Sequence, residues 1–238
     1  MKGVILAGGT GTRLRSLTKA VNKHLLPIYD KPMIYYPIYT LVNSGITSIM
    51  VVTDKRKAGD FLKLLGSGED FGAHFTYGLQ DSAKGIGDAL LRARDFVGKD
   101  NISVILGDNI VLGDTDWIKS KLNSKGRVFL REVDEPSRYG VANISQDGVL
   151  VGIDEKPQKA LSKLAVTGIY QYSYRVFEIV ENIKPSARGE IEITDVNNEL
   201  IKQGELSYQI ITNPWIDAGT VESLYEAQTM IRNYQMSH

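Results

Sequence analysis

The chain has 238 residues, 42% of them hydrophobic, enough to bury a sizeable core as one large domain or two small ones. Its 28 basic and 28 acidic residues cancel, which excludes a global field drawing it onto nucleic acid or an anionic membrane; any anion must be held by a local arrangement. It has no cysteine, which excludes disulfides, thiolate metal sites and cysteine nucleophiles and agrees with a reducing cytoplasm.

The first element is a Val/Ile-rich run at 4–7, too short for a signal-peptide core or a membrane span. A soluble cytoplasmic protein is expected. Similar apolar runs at 49–53 and 102–106, bounded by Gly, Asp or Asn, predict buried parallel strands, with a further strand at 75–79. Helical spacing at 33–43, 58–65 and 87–97 makes the first half a repeat of strand and helix units. In the second half the runs 127–133, 148–153 and 166–172 come close together with turn residues between them, which predicts a mixed sheet, and a last helix is expected at 221–234. No linker, low-complexity tract or repeat separates the halves. One α/β domain over 1–238 is predicted, with a mixed, mainly parallel central sheet flanked by helices.

The strand ending at Ala7 runs into Gly8, Gly9, Thr10, Gly11 and Thr12. Three glycines in four positions let the backbone turn sharply and expose its N–H groups, as a phosphate cradle at the C-terminal end of a strand requires. An ordinary tight turn is the alternative. A dinucleotide fingerprint starting at Gly9 needs glycine where Leu14 stands, and a P-loop needs a second glycine followed directly by Lys and Ser or Thr; neither pattern is met. Instead the loop is succeeded by Arg13 and then Lys23, two fixed cations behind a phosphate-sized nest, a combination that favours a triphosphate.

Further along, Asp108 comes after the strand at 102–106, where a carboxylate is well placed to hold a cation or simply to end the strand in an Asp-Asn turn. Asp217 offers a second carboxylate, or a helix-start residue. Gln80 could pair with a pyrimidine's imide edge, since its amide both donates and accepts. Glu155 can accept from hydroxyls and Lys156 can hold a phosphate as a point charge, or the two form a solvated pair beside Pro157. His24, His74 and His238 lack metal-ligand spacing and read as structural, and Tyr35, Tyr36 and Tyr39 as packing residues.

The runs LAGGTGTRLRSLT and NKHLLPIYDKPMIYYPI, succeeded in order by LGDN, YGV, EKP, AVTG, PSARGEIEITDVNN and WIDAGT, resemble the sugar-nucleotide pyrophosphorylases, most nearly the glucose-1-phosphate thymidylyltransferases. The likeness runs from Lys2 to about Ala227. It implies a Rossmann-like nucleotidyltransferase fold whose N-terminal half binds nucleotide and whose C-terminal half binds sugar phosphate. The resemblance places Leu6, Gly8, Gly9, Gly11, Thr12, Arg13, Gln80, Gly85 and Asp108 at the nucleotide, with Arg13 on the departing pyrophosphate. It places Lys23, Asn109, Tyr139, Gly140, Glu155, Lys156, Val166 and Arg188 at the sugar phosphate, with Glu190 supporting Arg188. Arg13, Lys23 and Asp108 are the implied catalytic residues, and Asp108 and Asp217 the implied magnesium ligands. Ser16, His24, Ala83, Gly87 and Asp88 depart from common family residues.

The implied reaction is Mg2+-dependent transfer of a nucleotidyl group from dTTP to glucose 1-phosphate, by direct attack of the sugar phosphate on the α-phosphorus. A UTP- or CTP-dependent enzyme and a non-catalytic sugar-nucleotide sensor are the alternatives. Longer relatives carry a C-terminal extension used in assembly and regulation, so a monomer or homodimer is expected here, with no nucleic acid or membrane partner.

Overall fold

A computed structural model describes residues 1–9, 11–19 and 21–237; Thr10 of the glycine loop and His238 lie outside the described residues. In chain order, β1 (Lys2–Ala7) leads into a 3-10 turn at Thr12–Thr18 and another at Lys23–Leu25, then β2 (Pro27–Ile28), β3 (Lys31–Pro32) and α1 (Tyr35–Asn43). Next come β4 (Ser48–Asp54), α2 (Ala58–Leu65), β5 (His74–Gln80), α3 (Gly85–Leu91), α4 (Arg94–Val97) and β6 (Ile102–Leu106). The second half holds β7 (Asn109–Val111), β8 (Gly126–Glu132), β9 (Gly140–Ile144), β10 (Leu150–Glu155), β11 (Leu164–Tyr172), α5 (Val176–Asn182), α6 (Ile193–Lys202), β12 (Leu206–Ile210), β13 (Trp215–Asp217) and α7 (Val221–Ser237).

Among the described residues nine strands form one sheet through both halves. β6, β1, β4 and β5 lie side by side and parallel, and the antiparallel β11 joins them to β8, β9 and β10. The mixed, mainly parallel sheet expected from the sequence is present. β1 and β4 are buried along almost their whole length because both faces are covered, which is why they read as unbroken Val/Ile runs. Alternate side chains feed two cores: Val4, Leu6, Met50, Val52 and Val104 pack with residues of α3, α5 and α6. Ile5, Ala7, Ile49, Val51 and Ile105 pack with residues of α1 and α2 on the opposite face.

A third, smaller core matters more for the site. Leu14, Ile110 and Ala218 are all fully buried in it, together with Leu224, Ala227 and Ile231 of α7. Leu14 adjoins Arg13 in the chain, Ala218 adjoins Asp217, and Ile110 stands two places after Asp108, so this packing locks three distant charged segments together.

The expected helix at 87–97 starts two residues earlier and divides into α3 and α4. Arg92 and Ala93 donate to carbonyls three residues back, tightening the chain into a turn between them. The expected helix at 33–43 begins at Tyr35, with Met33 and Ile34 buried in the preceding turn. Pro37 sits in its first helical turn, where no intrahelical N–H is needed. Tyr35 and Tyr39 pack on Phe71, and Tyr36 Oη donates to the Ile28 carbonyl at 2.9 Å, in keeping with packing roles. No described helix is long and apolar enough to cross a membrane.

Candidate active site

The parallel strands β1, β4, β5 and β6 all end on the same edge of the sheet, and a cleft of about 350 Å³ opens beyond β1, β5 and β6. β6 delivers Asp108. Residues 109–111 then pair antiparallel with β13, which sets Asp217 opposite Asn109, and Ala218 N donates to the Asp108 carbonyl at 2.9 Å. That short ladder is what brings together two aspartates far apart in the chain. Asp217 is not a helix cap: Thr220 does that work, its Oγ1 accepting from Ser223 N at 3.1 Å while Ser223 Oγ accepts from Thr220 N at 3.0 Å.

A β-carbon on Gly219 would lie 2.8 Å from Asp217 Oδ1, 2.9 Å from Arg13 Nη2 and 3.4 Å from Asp108 Oδ2. Two carboxylates and a guanidinium therefore converge on a point that glycine alone leaves open. Asp217 Oδ1 is buried with no hydrogen-bond partner, whereas Asp108 Oδ2 accepts from Lys23 Nζ. Burial, and after it the charge of Asp108, pushes the Asp217 carboxyl up, with Lys23 and Arg13 pulling the other way. Burial also opposes ionisation of Asp108, but Lys23, His24 and Asn109 outweigh it and hold that carboxyl well below the usual range. An orphaned hard oxygen beside a second carboxylate fits a divalent cation. Among the described residues no third His, Cys, Asp or Glu completes a metal cluster, so such an ion would draw its other ligands from water and phosphate, as magnesium does.

Lys23 is aimed by its neighbour: Asn22 Oδ1 accepts from the His24 backbone N at 2.9 Å, capping the turn at Lys23–Leu25. His24, expected to be structural, has a buried ring that lines the cleft, packs over Gly107 and lies close enough to Asp108 to influence it. Burial, reinforced by Lys23, lowers its pKa to about 3, so it is neutral at working pH. His74 is exposed at the start of β5.

Of the residues expected at the nucleotide, Leu6, Gly8, Gly9, Arg13, Gln80, Gly85 and Asp108 all line the cleft. Gly11 and Thr12 do not: Gly11 is the left-handed residue (φ 65°) before the 3-10 turn, and its carbonyl accepts from Thr18 Oγ1 at 2.9 Å. Gly8 carries no side chain because the Gln80 amide oxygen occupies the place of its β-carbon. Gly85, at φ 95°, packs against the backbone of Ile191, which donates to the Lys84 carbonyl at 2.9 Å while accepting from Gly87 N at 2.9 Å. The start of α3 is thus tied to the segment carrying Arg188.

The residues expected at the sugar phosphate, Lys23, Asn109, Tyr139, Gly140, Glu155, Lys156, Val166 and Arg188, line the same cleft. Glu155 Oε2 accepts from Thr194 Oγ1 at 2.7 Å, and Lys156 Nζ stands 3.5 Å from Glu155 Oε1. Lys156 has a φ of 46°, a conformation rare for a side-chain-bearing residue, held by its N–H donating to the Tyr139 carbonyl at 3.0 Å. Asn109 is engaged already: its Oδ1 accepts from Gly168 N at 3.0 Å and Trp215 Nε1 at 2.8 Å, so it braces the wall. Arg188 pairs with Glu192 at 2.9 Å, and Glu190, its expected support, lines the same cleft and adds its charge. Trp215, whose ring lies 5.3 Å from that of Tyr139, and Thr194 and Asn197 also line the cleft and were missed. Trp215 carried a readable signal, two places before Asp217 on one strand and therefore on the same face.

Comparison with known proteins gives the family. The family model described as Nucleotidyl transferase matches residues 2–233. The chain is 44% identical to glucose-1-phosphate thymidylyltransferase of Neisseria meningitidis, over 99% of this chain and 84% of that one. It is 42% identical to the protein of the same name from Mycolicibacterium smegmatis, over the same shares. A crystal structure from Bacillus anthracis, provisionally described as a glucose-1-phosphate thymidylyltransferase and in complex with sucrose, superposes with a TM-score of 0.92 at 48% identity, covering 98% of this chain and 95% of that one. A UDP-glucose pyrophosphorylase complexed with UDP-glucose superposes with a TM-score of 0.85 at 28% identity, over 98% of each chain.

Proposed function

Because the chain belongs to the nucleotidyl transferase family, we propose that it transfers a thymidylyl group from dTTP to glucose 1-phosphate, giving dTDP-glucose and pyrophosphate. The observation that carries this reading is the convergence of Asp108, Asp217, Arg13 and Lys23 between a nucleotide wall and a sugar-phosphate wall of one cleft. Asp108 and Asp217 would hold magnesium, which when bound there supplies positive charge to the phosphate oxygens. The chemistry needs no protein nucleophile. An oxygen of glucose 1-phosphate attacks the α-phosphorus of dTTP, a new P–O bond forms, and the bond to the β-phosphate breaks to release pyrophosphate.

The protein's task is to bring two polyanions together and to stabilise charge moving onto the leaving group. Arg13 sits behind the glycine loop, where it holds the departing pyrophosphate. Lys23 neutralises the reacting phosphates; in the free protein its ion pair with Asp108 orients it. Lys156 and Arg188 hold the sugar 1-phosphate, and Glu155, fixed by Thr194, accepts from sugar hydroxyls. Gln80 reads the base. A uridylyl reading is the second candidate, favoured by the fold shared with the UDP-glucose pyrophosphorylase and by the common imide edge of thymine and uracil.

A panel of dTTP, UTP and dCTP against several sugar 1-phosphates, read by pyrophosphate release, tests the proposal. dTTP with glucose 1-phosphate is expected to give the highest kcat/KM. A preference for UTP would move the assignment to the second reading, and binding without turnover on every pair would make the protein a sensor. Lys23→Ala should lower turnover by about 100-fold or more.

A further inference from the structure

Gln80 closes β5 and is nearly inaccessible to solvent. Its Nε2 donates to Asp88 Oδ2 at 3.0 Å, and Asp88 Oδ1 accepts from Arg92 Nη2 at 2.8 Å, one turn further along from Asp88. Gln80 and Asp88 are only 4% and 6% exposed, so water does not compete for these bonds. A glutamine amide has a donor end and an acceptor end that exchange when its terminal torsion turns over. A carboxylate with a guanidinium on its other oxygen can only accept. It therefore commits Nε2 toward α3 and leaves Oε1 against Gly8, on the wall of the cleft.

We propose that Asp88, braced by Arg92, is a specificity-determining positioning residue: it fixes the polarity of the Gln80 amide so that the site takes pyrimidines with an N3–H and rejects cytosine. This rests on Gln80 being the base reader. With the amide in the observed sense, Oε1 accepts from N3–H of thymine or uracil and the second Nε2 hydrogen donates to the adjacent carbonyl. Cytosine presents the opposite order, an acceptor at N3 beside an amino donor, and matches only the turned amide. A buried unpaired group on each partner is the penalty for the wrong base.

The test is kcat/KM for dTTP and dCTP with glucose 1-phosphate in wild type, Asp88→Asn and Gln80→Ala. Asparagine is isosteric but both donates and accepts, so Asp88→Asn should shrink the dTTP-to-dCTP ratio by about 10-fold or more, chiefly through the triphosphate KM values. Structural damage alone would lower both triphosphates together and leave the ratio standing. Should Asp88→Asn fail to fold, Arg92→Met, at a partly exposed side chain, should move the ratio the same way by about threefold. An unchanged ratio in these variants, with dTTP use impaired in Gln80→Ala, overturns the proposal while Gln80 remains the base reader. Undiminished dTTP use in Gln80→Ala overturns both.

Discussion

Single atoms decide most about this site. Gly219 has no unusual backbone conformation, yet an added methyl would press on Asp217, Arg13 and Asp108 at once. Gly219→Ala should therefore fold normally, with a melting temperature within about 3 °C of wild type, while turnover falls by about 10- to 100-fold from displaced charges. Calorimetry beside a pyrophosphate-release assay checks both halves, and full turnover would show that the convergence is unimportant. At this scale the sequence was most legible where a residue's chemistry is unusual for its place: Arg13 and Lys23 behind a glycine loop, Asp108 at a strand end. It was least legible where a polar residue works through another. Nothing in the order of residues says that Asn109 is consumed by Gly168 and Trp215, or that Arg188 would pair with Glu192.

Among the elements, the join between α3 and residues 186–191 couples the two walls of the cleft. Gly85→Ala would place a β-carbon 2.6 Å from the Ile191 carbonyl oxygen at a φ of 95°. It should cost about 1–3 kcal/mol in urea unfolding and raise KM for the sugar phosphate as well as for the triphosphate. An effect on the triphosphate alone would contradict the coupling. The parallel strands were legible because burial on both faces leaves uninterrupted Val/Ile runs. The expectation of a helix at 87–97 had the right type but missed the turn at Arg92–Ala93. α6 was hidden beneath a ligand-binding motif, although Ile193, Val196, Asn197 and Leu200 are buried at the spacing of one helical face. The ladder between β7 and β13 could not be read at all, since three-residue strands have no periodicity and their pairing is set by the third core.

Across the whole molecule, a buried neutral histidine beside a charged site has a consequence for stability. His24 titrates at about 3 when folded, against 6.5 as its reference value, so below pH 6.5 the unfolded chain takes up a proton that the folded one refuses. Its contribution is complete above pH 6.5 and is lost toward pH 3, at a slope approaching about 1.4 kcal/mol per pH unit. Urea unfolding without divalent cations should show that slope in wild type and lack it in His24→Gln, the other titrating groups being common to both. Parallel curves would mean that the histidine is protonated in place. The chain as a whole thus uses a doubly covered sheet to set rigid strand ends, and a small separate core to bring Arg13, Asp108 and Asp217 to one of them. The carboxylate pair is the centre of that design. The measurement to make is steady-state pyrophosphate release from dTTP and glucose 1-phosphate by Asp217→Asn across a Mg2+ titration, with wild type alongside. Wild type should depend on Mg2+ and saturate, while the variant should fall by about 100-fold or more at the same Mg2+ concentration; near-normal turnover by the variant, or turnover by wild type in excess chelator, would contradict a magnesium site at Asp108 and Asp217.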